Sequence, residues 1–166
     1  MFSRRAALRV GYRASRRLGI NLRVSMMIAF ACRKERLRYA LGYALVQKES
    51  GFRHVFGHDA GGLFPGLPVT RKRYRRLRRS LLEDRGGANG VGYTQITYFV
   101  YIVEHPGLWR RRPNIYFGIG IFADYVRRLG ERTGAGAYNG GEANPQFGYA
   151  DSLLGMAAEI RPKLTR

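Results

Sequence analysis

Apolar side chains recur at helical spacing over most of the chain, and the interruptions divide it into segments. Residues 4–18 set Ala7, Leu8 and Val10 among arginines and predict a basic amphipathic helix closed by Gly19. Residues 22–33 predict a strongly apolar helix containing Cys32, and residues 36–49 repeat the period through Leu37, Leu41, Ala44, Leu45 and Lys48 before Ser50-Gly51 stop it. From Phe52 to Val69, Gly57, Gly61, Gly62, Pro65, Gly66 and Pro68 deny a long helix and predict a loop-rich lobe with room for a short hairpin. The basic run 71–82 reads as helix, with a glycine-rich stretch after it over 85–92. Asn114 is expected to cap a helix that buries Ile115, Ile119, Phe122, Val126 and Leu129 and stops at Gly130. A last helix over 149–161 carries Ala150, Leu153, Leu154, Ala157 and Ile160, and is expected to end before Pro162. The fold class is therefore mainly α: a helical domain over 21–166 with a small loop-rich lobe, preceded by a basic arm or helix over 1–20.

Composition narrows this further. A length of 166 residues suits one domain with a real core, and a hydrophobic fraction of 45% excludes a chain that stays disordered for want of apolar surface. The lone Cys32 can form no internal disulfide and belongs to no Cys-rich zinc site, so it reads as a small buried hydrophobe. The apolar stretch Val24–Cys32 falls far short of the ~18 to 20 residues that span a bilayer, and a soluble protein is expected. Its basic approach and Ala29-Phe30-Ala31 imitate a secretion signal, yet the positive region is too long and the run leads straight into Arg33-Lys34-Glu35-Arg36. A buried helix is the expectation, with no signal peptide.

Charge adds a class of partner. The chain has 30 Lys+Arg against 11 Asp+Glu, a formal net charge of +19. Residues 1–40 hold eleven of the cations with Glu35 as their one acid, residues 71–79 hold seven, and Arg110-Arg111-Arg112 make a third patch. Arginine forks match phosphate and carboxylate, so nucleic acid, anionic cell-wall polymer and anionic lipid all fit, and a merely solvated face is the alternative for 71–79.

With so few acids, each can be weighed. Glu49 lies four residues after Leu45 and eight after Leu41, on the apolar face of its helix and at the C-terminal end. Partial burial and the helix dipole both disfavour its charge there, which raises its pKa and suits a general acid. An end-of-helix glutamate paired with Lys48 or an arginine is the alternative. His54, His58 and Asp59 have a spacing that could hold a metal, but the glycine-rich surroundings argue against the helix it needs, and no metal is expected.

Three short segments carry a resemblance. Gln47-Lys48-Glu49-Ser50-Gly51-Phe52, Gly90-Val91-Gly92-Tyr93-Thr94-Gln95 and Ala137-Tyr138-Asn139-Gly140-Gly141 follow one another about forty residues apart. They resemble, in the same order, the Glu-Ser, Gly-Leu-Met-Gln and Ala-Tyr-Asn-Ala-Gly motifs of the goose-type lysozyme and soluble lytic transglycosylase family. The resemblance covers about residues 36–160, and the pattern is also similar to lysins of phages that infect actinobacteria. It implies a lysozyme-like fold and peptidoglycan as substrate. Glu49 would be the catalytic acid, Gln95 a glutamine lining the sugar cleft, Tyr138 a hydroxyl orienting the catalytic carboxyl and Asn139 a side chain beside the substrate. The alternatives are that Gln95 is an N-terminal helix residue facing solvent and Tyr138 a core aromatic.

Two departures bear on the reaction. Tyr93-Thr94 replaces Leu-Met, and of two aspartates that goose-type lysozymes tend to carry near this motif, Asp84 resembles the first, offset by two residues, while Thr97 stands in place of the second. If Asp84 is a second carboxylate that activates water, the bond is hydrolysed with inversion. With Glu49 alone, the sugar's own C6 hydroxyl is the nucleophile and the product is a 1,6-anhydro ring, the lytic transglycosylase outcome, which the lone glutamate favours. No cofactor is implied. The expectation is a phage lysin or virion-associated enzyme acting at the bacterial wall and binding peptidoglycan strands, with anionic wall polymers held by the arginine patches. The rival class is a basic nucleic-acid-binding module tracking phosphates through 71–79, which leaves the three ordered motifs unexplained.

Overall fold

The computed structural model describes residues 3–84 and 86–165; Arg85, within the predicted glycine-rich stretch, and Met1 and Phe2 of the basic arm lie outside the described residues. Among the described residues eight α-helices account for most of the structure, and extended backbone pairs only as isolated bridges. The protein is mainly α, as the periodicity requires. It divides into two compact units, one built from Met1–Lys48 and Ile119–Arg166 and the other from Glu49–Gly118.

In the first unit, α1 (Arg4–Leu18) starts at Ser3, whose hydroxyl accepts from the Ala6 amide, and ends at Gly19 with φ 65°. Its small residues Ala7, Gly11 and Ala14 are buried, and a Cβ on Gly11 would come within 2.6 Å of Met26 Sδ on α2 (Leu22–Glu35), so the two helices pack closely. Residues 4–18 are thus a packed helix. α2 buries Val24, Ile28, Ala29, Ala31 and Cys32, the placement of a core helix. Arg36, at φ 55°, closes it, and α3 (Tyr39–Ser50) begins three residues later than the periodicity predicts. Cys32 Sγ fills the space where a Cβ on Gly42 of α3 would sit, 2.2 Å away, and burial pushes its thiol pKa up, out of the range of a reactive thiolate.

The expected cap at Asn114 is a correction. α6 runs Arg111–Leu129, so Asn114 lies inside the first turn, fully buried, with its side chain directed to other backbone groups. The expected stop at Pro162 is another. α8 (Phe147–Thr165) carries Pro162 inside it, because Leu164 beyond the proline is buried and the Arg13 guanidinium donates to the carbonyls of Leu164 and Thr165. Packing and these charge-assisted bonds outweigh the proline's local cost. A helix not foreseen, α7 (Glu131–Gly140), packs on α8 and is joined to it by bidentate Arg132–Asp151 contacts, while Arg128 of α6 donates to Glu142 just beyond the end of α7.

The second unit is the loop-rich part. α4 (Arg71–Leu82) matches its prediction, with Thr70 as N-cap and Tyr74 and Leu77 buried. The short α5 (Phe99–Glu104) packs on it: the Tyr74 hydroxyl bonds the carbonyls of Ile102 and His105 at 2.8 Å each. In place of a hairpin, residues 52–69 make single bridges, Val55 with Pro68, Phe56 with Val91 and Gly62 with Gly87. Buried Asn89 substitutes for a ladder: its amide nitrogen donates to Gly57 O and its oxygen accepts from the Phe64 amide, both at 2.9 Å. Gly62 lies against that amide, where a Cβ would come within 2.1 Å of it.

Candidate active site

Glu49 occupies the last turn of α3, half-buried, immediately before buried Ser50. The helix ends there because Gly51 and Phe52 both take positive φ, 56° and 61°, a reversal that directs the chain into the loop-rich unit. Ser50 reaches across this unit: its hydroxyl donates to Tyr93 O at 2.9 Å. The Glu-Ser pair and the glycine-rich segment 90–95 are thereby joined through one buried hydrogen bond. Lys48, one of the cations that an ordinary ion-pair reading offers Glu49, donates to Ser152 Oγ at 2.8 Å and stands 4.8 Å from the Tyr149 ring centre.

Asn114 holds the second segment in shape. Its amide nitrogen donates to Val91 O at 2.8 Å, and its Oδ1 accepts from the Thr94 amide and hydroxyl at 3.4 Å. Gly92, with φ 75°, opens a 3-10 turn through Thr94, and a Cβ there would lie within 2.6 Å of the Asn114 amide. Gly118 leaves the matching space for Thr94, whose Oγ1 would be 2.2 Å from a Cβ. The buried Tyr93-Thr94 pair therefore serves the internal wiring of this turn.

Gln95 closes the turn at φ 47°. Its amide nitrogen donates to Val55 O at 3.1 Å and Gly92 O at 2.7 Å, while Gly57 and Gly90 leave room for its Oε1. With both hydrogens on backbone carbonyls, the group that Gln95 can offer a sugar is the oxygen, an acceptor for a hydroxyl or an N-acetyl N–H. The Gly90 amide beside it donates to Asp59 Oδ2 at 2.6 Å, which fixes Asp59 as a loop brace.

His54 lies beneath the same turn, stacked on Tyr93 with ring centres 4.9 Å apart. Its Nε2 is 2.8 Å from Trp109 O. A carbonyl only accepts, so Nε2 carries the hydrogen, and the buried Nδ1 is a bare nitrogen with no partner among the described residues. Burial holds the imidazole below its ordinary value of 6.5, the Trp109 carbonyl opposes that, and Arg111 adds to it. The native state thus resists a proton that the unfolded chain accepts, so stability present above pH 6.5 is lost as pH falls through the native pKa. The urea midpoint should therefore drop between pH 7 and pH 5, and part of that drop should vanish in His54→Gln, which keeps a donor for Trp109; superimposable pH dependences would contradict it.

The remaining predicted residues are placed as follows. Asp84 is exposed at the end of α4 with φ 51°, in the same unit as Glu49 and Gln95. Tyr138 and Asn139 belong to the first unit, in the last turns of α7, with Gly141 as C-cap. Tyr138 is half-buried with its ring edge-on to Phe122 at 5.6 Å, and Asn139 is exposed. Among the described residues no group of His, Cys, Asp or Glu is arranged to hold a metal. No helix among them is long and apolar enough to cross a membrane. The residues that composition did not single out are Asn114 and Asn89; the signal that could have found them is an amide within one helical turn of, or flanking, glycines that leave it space. Comparison with protein-family models, curated proteins and solved structures found no match to this chain.

Proposed function

We propose that the protein is a peptidoglycan lytic transglycosylase that cleaves the β-1,4 bond between N-acetylmuramic acid and N-acetylglucosamine, with Glu49 as its acid and base. The observation that carries the reading is the Ser50–Tyr93 hydrogen bond, which joins the Glu-Ser pair to the segment ending in Gln95. A resemblance confined to short strings would have no need of such a link. Glu49 gives its proton to the glycosidic oxygen as the C1–O bond breaks. As a carboxylate it then removes the C6 hydroxyl proton, and that oxygen closes on C1 to form the 1,6-anhydro ring. Gln95 orients the sugar through its amide oxygen, and the resemblance gives Tyr138 and Asn139 of α7 substrate-binding roles. The setting is that of a phage lysin or virion component at the wall, where exposed arginines such as Arg110 and Arg112 adhere to anionic wall polymers.

A hydrolytic muramidase using Asp84 to activate water is the second reading within this class. Mass spectrometry of fragments released from purified cell walls tests both. Anhydro ends are expected; dominant reducing ends would assign hydrolysis, and an absence of released fragments would overturn the glycosidase reading itself.

A further inference from the structure

The exposed face of α4 is unlike the rest of the second unit. At 100° per residue, Arg71, Lys72, Arg75, Arg79 and Leu82 fall within an arc of about 100°, opposite the line of Tyr74 and Leu77 that is buried. All four cations are exposed, and none has an acidic partner among the described residues. The other arginines of the run are engaged locally. Arg73 donates to Pro68 O, Arg78 to the carbonyls of Ile102 and Val103, and Arg76 stands over the Phe64 ring. The Arg78 bonds hold α5 beside the cationic face.

The same unit also exposes large apolar groups. Leu82 is 65% exposed, Tyr98 59% and Phe99 49%. Leu82 and Phe99 line one open hollow of about 560 Å³ together with Leu81, Ala88, Gly86 and Asp84. A linear polyanion would be served by the cations alone, and leaves Leu82 in water. An anionic bilayer serves both sets: headgroup phosphates meet the arginines, and leucine and aromatic side chains enter the boundary between headgroups and acyl chains.

We propose that the outer face of α4, with Leu82 and the neighbouring Phe99, is an interfacial docking surface for an anionic phospholipid membrane. The protein lies on such a surface without spanning it. The inference does not rest on the glycosidase reading, and the Glu49→Gln chain should bind vesicles as the unaltered chain does.

Sedimentation with sucrose-loaded vesicles tests it, comparing phosphatidylglycerol mixed into phosphatidylcholine with phosphatidylcholine alone. The full chain is expected to pellet with the first and stay in solution with the second. Each basic residue near a charged bilayer contributes about fivefold in partition. Arg75→Glu with Arg79→Glu should therefore lower binding more than tenfold, and Arg9→Glu with Arg17→Glu, the same charge change on exposed positions of α1, less than threefold. Leu82→Ser with Phe99→Ser should lower vesicle binding at least fivefold yet leave the affinity for a single-stranded oligonucleotide unchanged. If that pair alters the melting midpoint, Leu82→Ser alone carries the comparison. The proposal is overturned if the α4 and α1 pairs behave alike, if the serine variants bind vesicles normally, or if neutral vesicles pellet the protein equally. Equal loss of oligonucleotide binding in the serine variants would mark a nucleic-acid surface instead.

Discussion

Glu49→Gln is expected to slow the clearing of a purified cell-wall suspension by about a thousandfold, within the range that loss of a positioned general acid produces. The amide keeps the size and hydrogen-bonding reach of the carboxyl, so the half-buried end of α3 and the neighbouring Ser50–Tyr93 bond should persist and the melting midpoint should stay within about 2 °C. What is lost is a proton acidic enough to transfer to a leaving oxygen. Glu49→Asp keeps that proton but retracts it by one methylene, a displacement that costs on the order of a hundredfold in a site built on geometry. The order unaltered, Asp, Gln in turbidity rates is thus the expected result. A folded Gln variant that retains a tenth of the activity would remove Glu49 from the chemistry.

Which of these features were legible in the sequence follows from where the determining forces lie. α2, α3, α4 and the body of α6 could be read because one apolar stripe on each faces a core, and period alone reports that; α1 is located by the same reading, but it buries Ala7, Gly11 and Ala14 and leaves Leu8 exposed. α7 could not. Its sequence, Glu-Arg-Thr-Gly-Ala-Gly-Ala-Tyr-Asn-Gly, carries Gly134, Gly136 and Gly140, and each interior glycine costs about 1 kcal/mol of helix propensity relative to alanine. Those glycines answer to packing: a Cβ on Gly134 would stand 2.7 Å from the backbone of Tyr125 and Val126, and one on Gly136 would stand 3.1 Å from Pro145 and Gln146. Tertiary contact decides that helix, and a local reading has no access to it. α5, six residues long, is too short to show a period at all.

The same distinction applies at the candidate site. Glu49 is a candidate at the level of sequence because an acid on an apolar face is anomalous there. Asparagine before an apolar run is what a cap looks like in sequence, and only the fold reveals that Arg111 starts the helix and the Asn114 amide points at Val91 and Thr94. Gln95 was legible as a position and less so as a chemical group. Its two hydrogens go to the carbonyls of Gly92 in its own turn and of Val55 in the preceding stretch, so the oxygen is the group left for any ligand.

The coupling between Gly92 and Asn114 gives the second large effect. Asn114→Ala removes the donor to Val91 O and the acceptor of the Thr94 amide in a fully buried place, and leaves a small cavity, together about 2–4 kcal/mol. Gly92→Ala forces a φ of 75° on an L residue, worth about 1–2 kcal/mol, and drives a methyl to within 2.6 Å of the Asn114 amide. In a chain of this length each kcal/mol lowers the melting midpoint by roughly 2–4 °C, so either change is expected to cost on the order of 10 °C. The double variant is the sharper measurement. Once Asn114 is cut back to alanine, the methyl on residue 92 meets open space and only the backbone term remains. The loss in the double variant should then fall short of the sum of the two single losses by about 1–2 kcal/mol, as expected for residues in direct contact. Strict additivity would mean that the amide does not pack against Gly92. Wall clearing should fall in all three variants, because the turn that Asn114 braces is the one that carries Gln95.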